Sequence, residues 1–154
     1  MLVLVVVLTG ALLPRARTET KQCILNAPVD VVFAIVTNNQ DWHYRSSLDD
    51  LEIIRTQGDI EEWEETAHAV TIRFKTLEKR LNSFYRFEME SKMFTGKWQA
   101  TFEPEEGGKT LFTAIEKIEY KNLFYRLVGY AFMDLNKFMT TYQEELRIRL
   151  SVNF

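Results

Sequence analysis

Three stretches in the middle of the chain alternate apolar and polar residues with period two. In "VTIRFKT", Val70, Ile72 and Phe74 oppose Thr71, Arg73 and Lys75. In "FYRFEMES", Tyr85, Phe87 and Met89 oppose Arg86, Glu88 and Glu90, and in "KWQATFEP", Trp98, Ala100 and Phe102 oppose Lys97, Gln99, Thr101 and Glu103. Side chains along a strand point alternately to its two faces, so this pattern predicts antiparallel strands with one dry and one wet face. "LEIIRTQ", closed by the turn signal Gly58-Asp59, and "IEEWEETA" add two more. In the latter, Trp63 is expected to point inward with Glu61 and Glu65 on its face, while Glu62 and Glu64 point outward. "EEGGKT" reads as a hairpin turn. It leads into "TLFTAIEKIEY", a last strand whose phase stays open because both faces carry apolar residues.

Helical spacing appears at the two ends. After a first strand in "TETKQCILNA", Pro28 stands where a missing N–H costs nothing, at a first helical turn. Val29, Val32, Phe33 and Val36 then follow the i, i+3, i+4, i+7 rule of one buried face, and Asp30 suits the positive end of the helix dipole. Asn38-Asn39 stop this helix, and "QDWHYRSSLDD" reads as a second short helix or helical turn. A final helix is predicted from about Leu123 to Leu150, capped by Asn122. Its stripe is Leu127, Ala131, Leu135, Phe138, Tyr142, Leu146 and Leu150, with a second apolar face at Phe124, Val128, Phe132 and Met139. A curved sheet must bury its dry face, and the final helix supplies the only long apolar stripe. The expected architecture is α+β: a curved antiparallel sheet of about six to seven strands around a long C-terminal helix, with two short helices after the first strand.

Composition adds limits. The chain has 154 residues, 46% hydrophobic and 13% aromatic, enough for one domain with a sizeable core. A net charge of −3 gives the whole molecule no electrostatic reason to bind nucleic acid. The single cysteine, Cys23, excludes an intrachain disulfide and is expected in the core. No Cys/His spacing suggests zinc, and no cofactor is expected. Residues 1–14 form an apolar segment distinct from the domain at 15–154. Its "MLVLVVVLTGALL" would span about 20 Å as a helix, short of the roughly 30 Å hydrocarbon core. A membrane anchor, an uncleaved signal-like segment and a first strand are all open. The anchor is the expectation, with Arg15 and Arg17 at the headgroup level and its orientation not readable. Without the anchor, a soluble cytoplasmic domain is the alternative.

The stretch "ILNAPVDVVFAIVTNNQDW" resembles the strand-to-helix opening of the SRPBCC/START-like helix-grip superfamily. That superfamily includes polyketide cyclase-like and pollen-allergen-like proteins. Ile24, Ala27, Pro28, Val32, Phe33, Val36, Asn38 and Trp42 stand at the positions of its pattern. "GALLPRARTE" is similar to the apolar lead of bacterial members, and "FEPEEGGKT" and "NLFYRLVGY" are weaker echoes. One departure is the missing second Trp of a W-x-x-W, where this chain has Trp42-His43-Tyr44-Arg45. The resemblance implies a cavity between sheet and helix. One such fold hosts many activities.

The expected lining of that cavity is Trp63, Phe74, Tyr85, Phe87, Trp98 and Phe102 from the sheet, and Leu127, Ala131 and Asp134 from the final helix. Trp42 and His43 are placed at the rim. No catalytic set is recognisable. His43 or Asp134 as acid/base with Tyr85 as donor is the enzymatic alternative, of the cyclase or dehydratase kind. His68 is expected in solvent. The acidic strand around Trp63 is a possible protein-binding edge, although Arg73, Arg80 and Arg86 could pair with its acids across the sheet. The leading expectation is non-enzymatic binding or transport of a lipid or other hydrophobic small molecule. The oligomeric state is not readable.

Overall fold

A computed structural model describes residues 12–152. Seven strands form one antiparallel sheet: β1 (Ala16–Leu25), β2 (Asp50–Gln57), β3 (Ile60–Ala67), β4 (Val70–Arg80), β5 (Phe84–Glu90), β6 (Phe94–Glu105) and β7 (Lys109–Tyr120). Their spatial order is β1-β7-β6-β5-β4-β3-β2. Every neighbour but β1 is reached by a hairpin, so β1 and β2 are the edges. Helix α1 (Val29–Val36) follows β1, and α2 (Leu123–Phe132) and α3 (Leu135–Ser151) follow β7.

The register fixes which residues share the inner face. Trp63 stands opposite Phe74, Phe74 opposite Met89, Phe87 opposite Trp98, and Phe102 opposite Phe112. This face is the dry one expected from alternation. It also settles the phase of β7: Thr110, Phe112, Ala114, Ile118 and Tyr120 are buried, with Glu116 among them on the same face. Irregularities between Ile53 and Arg55 and between Thr76 and Glu78 let single residues drop out of the pairing. The second returns Tyr85 to the inner face after the strand bends.

At the first corner, the backbone N–H groups of Val31 and Val32 both donate to the Pro28 carbonyl. The buried Thr110 hydroxyl donates to the Ala27 carbonyl at 2.7 Å, which ties the strand-to-helix turn to β7. Val32, Phe33, Ile35 and Val36 are buried beneath α1, as is Cys23 on β1.

Two expectations need correction. Residues 38–49 form turns and no second helix; their polar groups are satisfied by side chains of other elements rather than by a local helical ladder. The final helix is also not continuous. Met133 and Asp134 adopt extended backbone, and the Asp134 side chain accepts the Lys137 N–H at 3.0 Å as the N-cap of α3. An aspartate favours that position because its oxygen replaces a missing intrahelical acceptor. The end of α2 is tied by Arg17, whose Nη1 donates to the Met133 carbonyl at 2.8 Å and to the Tyr120 hydroxyl at 3.2 Å. Gly129 permits α2 to lie on β7, since a Cβ there would sit 2.2 Å from the Tyr120 ring.

The expected anchor at residues 1–11 lies outside the described residues. Just after it, the Leu13 and Pro14 carbonyls accept from Arg126 and Tyr130 of α2. No helix among the described residues is long and apolar enough to cross a membrane.

Candidate functional site

The inner face of the sheet carries a wall of rings. Trp63 and Phe74 stack at 5.2 Å between centroids, and Phe87 and Trp98 at 4.9 Å. Phe87 meets both Trp63 and Phe74 edge-on, and Tyr142 of α3 meets Trp98 edge-on at 6.3 Å. Offset and edge contacts of this kind are the favoured aromatic geometries. Helix α3 closes on the sheet backbone at β1; over β3 to β6 the space beneath it is occupied by side chains alone.

A polar cluster stands beside this wall. Tyr44 and Arg45 come from the turn segment after α1, Glu65 from β3, and Tyr142 from α3. Arg45 donates through Nη1 and Nη2 to the two Glu65 carboxylate oxygens at 2.6 and 2.8 Å, and Trp63 Nε1 donates to Glu65 at 3.1 Å. Burial opposes the charge of Arg45, but Glu65 outweighs it and holds the guanidinium ionised. The guanidinium lies 5.6 Å from the Tyr142 ring centroid. Tyr44 and Tyr142 share a hydrogen bond, and burial raises both phenols above their ordinary range. The segment is fastened to α3 by Glu145, which accepts from Ser46 N and Oγ, and by Arg149, which donates to Asp41 at 2.7 Å.

Glu116 differs from the other acids. It lies directly opposite Trp98 on β6 and makes no hydrogen bond or ion pair to another described residue. Loss of solvation, reinforced by the nearby Glu65 charge, pushes its carboxyl up from 4.5 to about 7. Yet Glu116, Phe87, Tyr44 and Tyr142 each retain accessible surface, while Trp63, Tyr85 and Trp98 around them are only 1%, 2% and 7% exposed. Tyr85 is hydrogen-bonded to Thr76 and Asn39, and burial pushes its phenol up to about 12.

Of the residues singled out in the sequence, Trp63, Phe74, Tyr85, Phe87, Trp98 and Phe102 fall on the inner face. Trp42 is half-buried and stacks on exposed His43 at 4.4 Å. Leu127 is half-buried under α2, and Ala131 and Asp134 are exposed where α2 gives way to α3. His43 and Asp134 therefore do not converge with Tyr85, and Asp134 is engaged as a helix cap. His68 is exposed in a turn with φ of 50°. Sequence reasoning missed Glu116, Arg45 and Tyr44 as members of one cluster. Only the co-facial placement of Glu65 with Trp63 hinted at it.

The acids of β3 behave as surface groups. Glu62 is shared by Arg55, Arg73 and Lys75, whereas Arg80 and Arg86 both turn to Glu78. Two open hollows lie away from the ring wall. One of about 650 Å³ is lined by such charged pairs, including Arg73, Lys75, Glu88, Lys97 and Lys117. The other, about 480 Å³, lies between α1 and the turn carrying Leu81. The first has the charge pattern of a solvated sheet surface and lacks the apolar lining of a small-molecule pocket. No group of three or more metal-ligating side chains occurs among the described residues.

No family model and no curated protein matches the chain. Solved structures do. A START superfamily protein from Mycobacterium smegmatis aligns with a TM-score of 0.68 at 12% identity, over 89% of this chain and 99% of that one. The Zhui aromatase/cyclase of a Streptomyces species aligns at 0.77 and 7% identity, over 88% and 94%. Norcoclaurine synthase from Thalictrum flavum, solved in complex with dopamine and hydroxybenzaldehyde, aligns at 0.70 and 10% identity, over 90% and 87%. These neighbours belong to the START/SRPBCC superfamily, and likeness at such identities shows the shared helix-grip fold.

Proposed function

We propose that this protein binds a hydrophobic, ring-bearing small molecule between the inner face of its sheet and α3, as a carrier or binding protein. The ring would lie against Phe87 and Trp98, with the ligand's polar end towards Glu116, Tyr44 and Tyr142. The observation that carries this reading is the residual accessibility of those groups inside an otherwise closed layer, where α3 stands off the sheet. A filled core leaves no accessible surface on such residues. An apolar lining with a few convergent polar groups is the ordinary make-up of a ligand site. The fold is compatible with this role, since its members include both binders and cyclases. One neighbour holds small aromatic compounds.

The test is a titration with N-phenylnaphthylamine, a neutral fluorophore that brightens in apolar surroundings. Saturable uptake is expected, weakened about tenfold in Phe87→Ala by loss of one aromatic contact surface. A protein that stays dark at every concentration contradicts the proposal.

A second reading uses the same space for chemistry. Glu116, with its carboxyl near 7, is suited to give and take a proton at neutral pH, and the tyrosine hydroxyls are suited to donate to a carbonyl. It requires turnover of a bound carbonyl substrate that vanishes in Glu116→Gln while binding persists. Membrane tethering through residues 1–11 is a separate proposal, tested by whether the full chain, but not a chain starting at Leu12, floats with liposomes.

A further inference from the structure

We infer that the inner site selects ligands whose polar end is a cationic nitrogen and rejects carboxylates. This rests on the reading of that space as a ligand site. The charges facing Glu116 from each surrounding element decide it. From β3 comes Glu65, and from the turn segment comes Arg45, whose Nη1 and Nη2 are both already engaged by that same carboxylate. The Arg45–Glu65 pair is therefore neutral and offers no spare guanidinium edge for a second carboxylate. From α3 and the turn segment come Tyr142 and Tyr44, both kept as neutral phenols, and from β6 comes the indole of Trp98. From β1, Glu19 stands directly opposite Glu116, and Lys21, opposite Ala114, forms no ion pair with it.

Glu116 is thus a carboxyl without a cation in a site whose other ionised groups cancel or add negative charge. An ammonium ion would supply the missing partner and gain a charge-assisted hydrogen bond. The ring faces of Phe87, Trp98 and Tyr142 also attract a cation once water is displaced. A carboxylate ligand would meet Glu65, Glu116 and Glu19 with no unengaged cation to receive it. Uncharged alcohols would bind through the ring alone.

Three probes sharing one bicyclic ring separate these cases: naphthylmethylamine, naphthylmethanol and naphthoate, titrated against the whole chain by calorimetry near pH 8. The amine is expected to bind about tenfold more tightly than the alcohol, since a hydrogen bond to a charged group contributes roughly 1.5–3 kcal/mol. Naphthoate is expected to bind most weakly. In Glu116→Gln, the amine should fall to the affinity of the alcohol, while the alcohol's own affinity is unchanged. Equal binding of amine and alcohol by the unaltered protein, or a preference for naphthoate, overturns the inference while leaving the binding site itself in place. Failure of all three to bind removes the site and the inference with it.

Discussion

At the scale of single residues, the molecule's inner polar groups divide into one satisfied pair and one exception. Arg45 and Glu65 neutralise each other, so removing one leaves the other buried without compensation. Arg45→Ala is expected to destabilise the fold by about 3 kcal/mol, and the double variant Arg45→Ala/Glu65→Gln by less, measured by urea unfolding. Glu116 acts in the opposite sense. Its folded-state value of about 7 lies above the ordinary 4.5, so the native protein holds a proton that the unfolded chain releases. Stability should therefore fall as pH rises through the window from about 4.5 to 7, and the full cost is present above it. Glu116→Gln should stabilise the protein by about 2 kcal/mol at about pH 8 and leave it unchanged at about pH 4. A parallel pH dependence in the variant and the parent would contradict the assignment. None of this was legible in the sequence. Glu116 sits in a strand with apolar residues on both faces, and only the pairing with β6 reveals that it points inward beside Trp98.

At the scale of elements, the strands were the most legible part. Alternation in β4, β5 and β6 assigned Phe74, Tyr85, Phe87, Trp98 and Phe102 to one face, and pairing across the sheet places them there together. The corner at Ala27-Pro28 was equally readable, because proline's fixed φ and absent N–H allow few alternatives. The final helix was misjudged for a physical reason. Its apolar spacing persists through residues 123–150, but spacing does not register a cap. Asp134 accepting the Lys137 N–H starts a new helix inside an uninterrupted stripe. Asp134→Ala should cost about 1 kcal/mol by loss of this cap. The seat of α2 depends on Gly129. Gly129→Ala drives a methyl into the Tyr120 ring and is expected to cost about 1–3 kcal/mol in thermal unfolding, with most of the loss recovered by Tyr120→Leu. A neutral Gly129→Ala would mean that α2 does not rest on β7 through this contact.

At the scale of the whole molecule, seven strands and a separated last helix make a palm in which rings form the floor and α3 the cover. The fold class was legible because a single apolar stripe had to cover a single dry face. The site was less so. The turn segment at 38–49, which brings Tyr44 and Arg45 over the rings, has no periodicity to read, and its place depends on contacts with α3 a hundred residues away. The central claim is that the ring wall receives a ligand. The three tryptophans report on it from different places: Trp63 and Trp98 belong to the wall, and Trp42 stacks outside on His43. The most direct measurement is an NMR titration of their indole N–H signals with naphthylmethanol. The account requires the Trp98 and Trp63 signals to shift and saturate together while Trp42 stays still. Movement of Trp42 alone, or of none of the three, would contradict it.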